Sequence, residues 1–79
     1  MNTMTQEEKI QRLGKIFQDV LDLPGLRLTE NFSTADCPEW DSVATVQIVL
    51  ATEDAFGVRV SVENVATLHS VREILALLP

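Results

Sequence analysis

A single cysteine, Cys37, in a chain of 79 residues narrows the possible folds more than any other feature of this sequence. A domain of that length buries a small core and needs either efficient helix packing or a covalent or metal staple. One cysteine gives no intramolecular disulfide and no cysteine-rich metal site, so the chain has to fold on packing alone. A lone free thiol also fits a reducing compartment. The opening Met1-Asn2-Thr3-Met4 lacks the basic region and apolar run of a signal peptide, and no apolar stretch is long enough to span a bilayer. The expectation is a cytoplasmic protein, not inserted in a membrane, forming one domain over residues 1–79.

Six basic residues against twelve acidic ones leave a net charge of −6. A nucleic-acid binder needs a basic surface to release counterions, so that class is excluded. The surplus carboxylates keep a small protein dispersed and favour partners with basic patches.

The apolar spacing is helical. Thr5-Gln6-Glu7-Glu8 is a capping-box pattern, and Ile10, Leu13, Ile16, Phe17, Val20 and Leu21 follow on one face. The spacing predicts a helix from about Thr5 to Leu23, with Gly14 marking a close contact and Pro24-Gly25 ending the segment. Residues 24–41 show no period and form a long loop, in which Leu28, Phe32 and Trp40 should reach the core. A second helix is predicted over about 42–56. Its expected buried stripe is Val43, Val46, Val49, Leu50 and Phe56, widened by Ile48. Gln47, Asp54, Ala44, Ala51 and Ala55 fall opposite, Glu53 lies at the edge, and Gly57 is the stop. Val58 to Val62 alternates like a strand, but with no partner strand it reads as an extended linker. Ser61 then caps a short helix over about 62–67, and Ser70-Val71-Arg72-Glu73 opens a last helix over about 71–78. The fold class is all-α: three main helices plus a short third, packed as a bundle.

No active site is legible, and the chain reads as a non-enzyme. His69 is the sole histidine and has no nucleophile or orienting group beside it in sequence. Cys37 has no neighbouring cation to lower its pKa. Asp36, Glu39 and Asp41 crowd the start of the second helix, where spaced carboxylates usually act as solvated caps, so no metal site is predicted. Ser42 is different. It stands where the loop gives way to the second helix, and a helix N-terminus favours a negative charge on its hydroxyl. With no catalytic partner nearby, Ser42 reads as a residue that other enzymes modify. The plain structural alternative is that it caps the helix.

The frame Asp41-Ser42-Val43 with Val46, Ile48, Leu50, Glu53 and Phe56 resembles the acyl carrier protein family. There the serine of an Asp-Ser-Leu motif opens the second helix, and a Glu and a Phe close it at these spacings. The resemblance runs on through Phe56-Gly57-Val58, Val60-Ser61 and Ser70-Val71, and Trp40-Asp41-Ser42 matches stand-alone carriers reading Trp-Asp-Ser-Leu. It implies a four-helix bundle of acyl-carrier type. It also implies that a phosphopantetheinyl transferase attaches 4′-phosphopantetheine to Ser42 with support from Asp41. The arm's thiol, not Cys37, would then hold acyl intermediates as thioesters and present them to activating and transferring enzymes. A monomer is expected, with partners docking on Val43, Gln47, Glu53 and Asp54.

This sequence departs from the family at several positions. Val43 replaces the usual Leu after the serine, and Ala44, Gln47 and Ala55 stand where fatty-acid carriers commonly have acids. Thr52 stands at a usual Leu, so its hydroxyl needs a partner such as the carbonyl four residues back. These differences imply a specialised carrier in a fatty-acid, lipid or polyketide-type pathway. The readings beside it are an aminoacyl carrier of D-alanyl or peptidyl type, which Val46-Gln47 also resembles, and an unmodified helical adaptor.

Overall fold

The computed structural model describes residues 4–78. The readings made on Met1, Asn2 and Thr3, and Pro79 at the end of the expected domain, lie outside those residues. The described residues form helices joined by loops, with α1 at Gln6–Leu21, a 3₁₀ turn at Thr34–Asp36, α2 at Ser42–Phe56, α3 at Val62–Val65 and α4 at Val71–Leu75.

Local chemistry sets each helix end. Thr5 caps α1 in a reciprocal box: its Oγ1 accepts the Glu8 N–H while the Glu8 carboxylate accepts the Thr5 N–H. Two bonds donated to the Glu8 carboxylate by Thr5, first from its backbone N–H and then from its hydroxyl, hold that carboxyl below the ordinary glutamate range. The helix stops at Leu21, short of the expected Leu23, because Asp22 turns left-handed at φ 56°. The Asp22 and Leu23 N–H groups both return to the Gln18 carbonyl, which closes the end before Pro24 is reached. Gly57 does the same for α2 at φ 66°.

The two short helices also end early. After Val65 and after Leu75 the bonds tighten to i→i+3, from Thr67 N–H to the Asn64 carbonyl and from Leu77 N–H to the Ile74 carbonyl. The turns predicted as helix through Thr67 and Leu78 are therefore tighter than α, although Leu78 is still buried. Ser70 caps α4, and the Glu73 carboxylate accepts the His69 N–H, a bond that lowers the Glu73 pKa.

Leu13, Phe17, Ile48 and Val71 are fully enclosed at the centre of the bundle. The long loop is pinned by aromatics rather than by regular structure. Trp40 stacks on Phe32 at 5.9 Å between centroids, and both meet Phe17 edge-on at 4.9 and 6.3 Å. A short antiparallel bridge between Ser33 and Ser70 ties the loop to the start of α4, with the Val71 N–H donating to the Phe32 carbonyl. Gly14 is buried beside Leu28, but a Cβ there would lie 3.7 Å from Leu28 Cβ, an ordinary contact. The expected close approach is therefore not one that requires glycine.

The stripe predicted for α2 is rotated: Ile48 and Val49 are buried and Phe56 half-buried as expected, but Val43, Val46 and Leu50 turn outward. Ala44, Thr45, Ile48, Val49 and Thr52 are buried, while Val43, Val46 and Leu50 are 66%, 47% and 60% exposed. Ala44, expected on the outer face, lies in the core. The cause is packing against α1 and the loop. Small side chains at 44 and 45 let α2 approach the Phe17–Trp40 cluster, and the Trp40 indole N–H donates to Thr45 Oγ1 at 2.8 Å. That buried bond points Thr45 inward and rotates the larger residues out. Thr52 takes the partner expected for it, donating to the Ile48 carbonyl at 2.7 Å.

Candidate functional site

The site begins with a division of labour between adjacent residues. Asp41, not Ser42, caps α2: its Oδ1 accepts the Ala44 N–H at 2.8 Å, and its carbonyl accepts the Thr45 N–H and hydroxyl. Ser42 is the first helical residue and is exposed. Its hydroxyl has no hydrogen-bond partner among the described residues, and the same holds for the N–H groups of Ser42 and Val43. The capping role considered for Ser42 is thus filled by its neighbour. Trp40, 3% exposed, anchors the chain just before this pair, so a buried indole fixes where the serine emerges.

Ser42 stands at one end of an open groove of about 670 Å³. Val46, Val49 and Leu50 of α2 line it on one side, and Val62, Val65 and Leu68 on the other. Glu53 closes the far end. Its carboxylate accepts the Val60 N–H at 2.7 Å and so clips the α2–α3 linker to α2. This accounts for a glutamate beside the apolar face. Of the positions expected to dock partners, Val43, Gln47 and Asp54 are exposed on the outside of α2, and Glu53 is half-buried in that clip.

The carboxylates at the start of α2 are not gathered. Asp36 accepts the Ser33 N–H, Glu39 accepts the Cys37 thiol, and Asp41 caps the helix. Among the described residues no group of three or more His, Cys, Asp or Glu side chains is placed to hold a metal. Cys37 is buried, and burial followed by the Glu39 hydrogen bond pushes its thiol pKa up, away from a reactive thiolate. His69 is exposed at the groove rim, with its backbone held by Glu73 and Thr34. No helix of the described chain is long and apolar enough to cross a membrane.

Sequence reasoning missed Leu50 and Val46 as surface residues and did not single out Val62, which is 86% exposed. A signal was present. Thr45 and Thr52 are seven residues apart on the face of Ile48, and the upstream tryptophan needed a hydrogen-bond acceptor.

An unemployed helix-terminal serine fits covalent attachment of an anionic arm. A phosphodiester on its oxygen would displace no existing hydrogen bond and would lie beside two unpaired N–H groups at the positive end of α2. The apolar groove begins at the same residue. Comparison with known proteins points the same way. The family described as phosphopantetheine attachment site matches residues 11–78. The acyl carrier protein of Rhodococcus erythropolis (strain PR4 / NBRC 100887) is 39% identical over 72 residues, covering 91% of this chain and 79% of that protein. The meromycolate extension acyl carrier protein of Mycolicibacterium smegmatis (strain ATCC 700084 / mc(2)155) is 35% identical over 72 residues, covering 91% and 73%. The acyl carrier protein of Thermobifida fusca (strain YX) is 25% identical over 71 residues, covering 90% of each. With one family match across most of its length and these relatives, the chain belongs to the acyl carrier protein family.

Proposed function

We propose that Ser42 is the residue to which a phosphopantetheinyl transferase joins the 4′-phosphopantetheine of coenzyme A. The observation that carries this is the release of its hydroxyl from structural work by the Asp41 cap, at the mouth of an apolar groove. Once attached, the arm supplies a thiol that holds an acyl group as a thioester. The chain's own residues contribute placement. Trp40 fixes the exit point, Asp41 holds the helix end and has a second carboxylate oxygen free to help the transferase, and the end of α2 favours the phosphodiester charge. Tethering raises the effective concentration of cargo at each partner enzyme.

The protein is read as a carrier without a reaction of its own, a monomeric single domain acting in the cytoplasm. Val43, Gln47, Glu53 and Asp54 belong to the surface that its activating and transferring enzymes cover. The names of its relatives, including a meromycolate extension carrier, support acyl cargo in a specialised lipid pathway over aminoacyl cargo.

Intact mass spectrometry after incubation with coenzyme A, Mg²⁺ and a broad-specificity transferase tests the attachment. The expected result is the gain of one phosphopantetheine. No gain with two different transferases would favour the unmodified adaptor.

A further inference from the structure

One wall of the groove hangs on a single hydrogen bond. Residues 59–68 carry α3 and include Val60, Val62 and Val65, which line the groove opposite α2. α3 is four residues long, and none of them is buried. The segment's other bonds stay inside it: Asn64 and Val65 N–H donate to the Ser61 carbonyl, Thr67 N–H to the Asn64 carbonyl and Leu68 N–H to the Val65 carbonyl. Among the described residues, the one hydrogen bond that joins residues 59–68 to the rest of the chain runs from the Val60 N–H to Glu53 Oε2, at 2.7 Å.

Glu53 holds this linker twice. Its backbone carbonyl accepts the Gly57 and Val58 N–H groups, which closes α2, and its carboxylate then takes Val60. A carboxylate accepting an N–H makes a charge-assisted bond, about twice as strong as a neutral one. At the other end of the segment the wall is held by packing, through the buried Leu68. Packing therefore fixes one end of the wall and one carboxylate fixes the other. Asp54, the next residue, is exposed and accepts no hydrogen bond on its side chain among the described residues.

We propose that Glu53 is a positioning residue for the groove: its carboxylate latches the α3 wall to α2, and opening that one bond widens the groove for an apolar chain. That the chain is cargo carried from Ser42, at the opposite end, rests on the attachment reading. The latch acts through reach and an acceptor oxygen. A negative charge at residue 53 does not suffice, because a carboxylate that falls short of the Val60 N–H leaves the wall untied. Local opening of this kind is cheap where few contacts hold a segment, and α3 is such a segment.

The test uses the apo-chain and two substitutions that separate reach from charge. Glu53→Asp keeps the charge but is shorter by one methylene. Glu53→Gln loses the charge but keeps an acceptor oxygen at full reach. Amide hydrogen exchange is followed by NMR at Val60, with Val58 as the internal reference because its N–H goes to the Glu53 backbone carbonyl. Binding of the neutral apolar probe N-phenyl-1-naphthylamine is read by fluorescence, and matched thermal melts verify folding. Glu53→Asp is expected to speed exchange at Val60 about tenfold relative to Val58, and to tighten the probe's Kd about threefold. Glu53→Gln should stay within about threefold of wild type in exchange and about twofold in Kd, and Asp54→Asn should change neither. Unchanged exchange at Val60 in Glu53→Asp overturns the latch. Faster exchange with an unchanged Kd overturns the positioning role, leaving a clip that only tidies the linker. Glu53→Gln behaving as Asp is expected to, while Asp itself matches wild type, would make charge the active property and overturns the proposal as well. None of these readouts needs the arm, so failed phosphopantetheine transfer to wild type removes the attachment reading and leaves the latch standing.

Discussion

Helices α1 and α2 are of nearly equal length, 16 and 15 residues, and differ in how fully they bury their large apolar residues. In α1 the large apolar side chains are buried (Leu13, Phe17, Leu21) or half-buried (Ile10, Ile16, Val20), and none is exposed. In α2 two threonines and an alanine are buried beside Ile48 and Val49, while Val43, Val46 and Leu50 face out. The first helix is arranged for folding. The second gives up apolar burial at the surface where the candidate attachment site lies. Amphipathic reasoning finds the core of a helix only when the core is the helix's sole employer.

The sharpest way to break this contrast is to cut both faces. Phe17→Ala removes the ring on which Trp40 and Phe32 both rest, and should cost about 3–5 kcal/mol. In so small a domain that leaves little folded population, visible as a lost or steeply lowered circular-dichroism melt. Next in size, Trp40→Phe keeps the ring stacking but deletes the indole donor to Thr45. It should cost about 1–2 kcal/mol in denaturant titration. If α2 is turned by that bond, the amide spectrum should shift along α2 more than along α1; a change confined to residue 40 would deny the indole this role.

Much of the fold was open to reading in advance, for reasons the residues make plain. Caps at Thr5, Ser61 and Ser70 are local chemistry, set by a side chain and an N–H three residues on. The rotation of α2 was not local. It depends on an indole five residues upstream of Thr45 and on the shape of the surface that Phe17 presents. The same holds at the site. Ser42 stands out by its place before an apolar run, but only the structure assigns the cap to Asp41 and the Glu53 carboxylate to Val60.

Smaller effects sharpen the comparison. Gly14→Ala on α1 should stabilise by about 0.5–1 kcal/mol, since the added Cβ meets Leu28 at an ordinary distance. A lower melting temperature would show that this contact is tighter than its 3.7 Å spacing implies. Leu50→Ser on α2 should change stability by no more than about 0.5 kcal/mol, although Leu is as apolar there as in any core. A larger loss would place Leu50 in the fold.

The slightest effect is one of pH. The Glu8 and Glu73 carboxyls are depressed in the folded chain, so their contribution is complete above the unfolded-state pKa of about 4.3. It is lost as pH falls through their lowered folded-state values. The stability gap between wild type and Glu8→Gln/Glu73→Gln should therefore narrow on acidification from about pH 6 to pH 3. A constant gap would assign those residues a role independent of charge.

The most direct test of the account concerns Ser42 itself, through Ser42→Ala melted and then offered to the transferase beside wild type. A hydroxyl with no structural work predicts melting curves within about 0.5 kcal/mol of each other and complete loss of phosphopantetheine transfer in the variant. A stability loss above about 1 kcal/mol would make the serine a cap after all. A mass gain that survives the substitution would place the arm elsewhere, and either result contradicts the account.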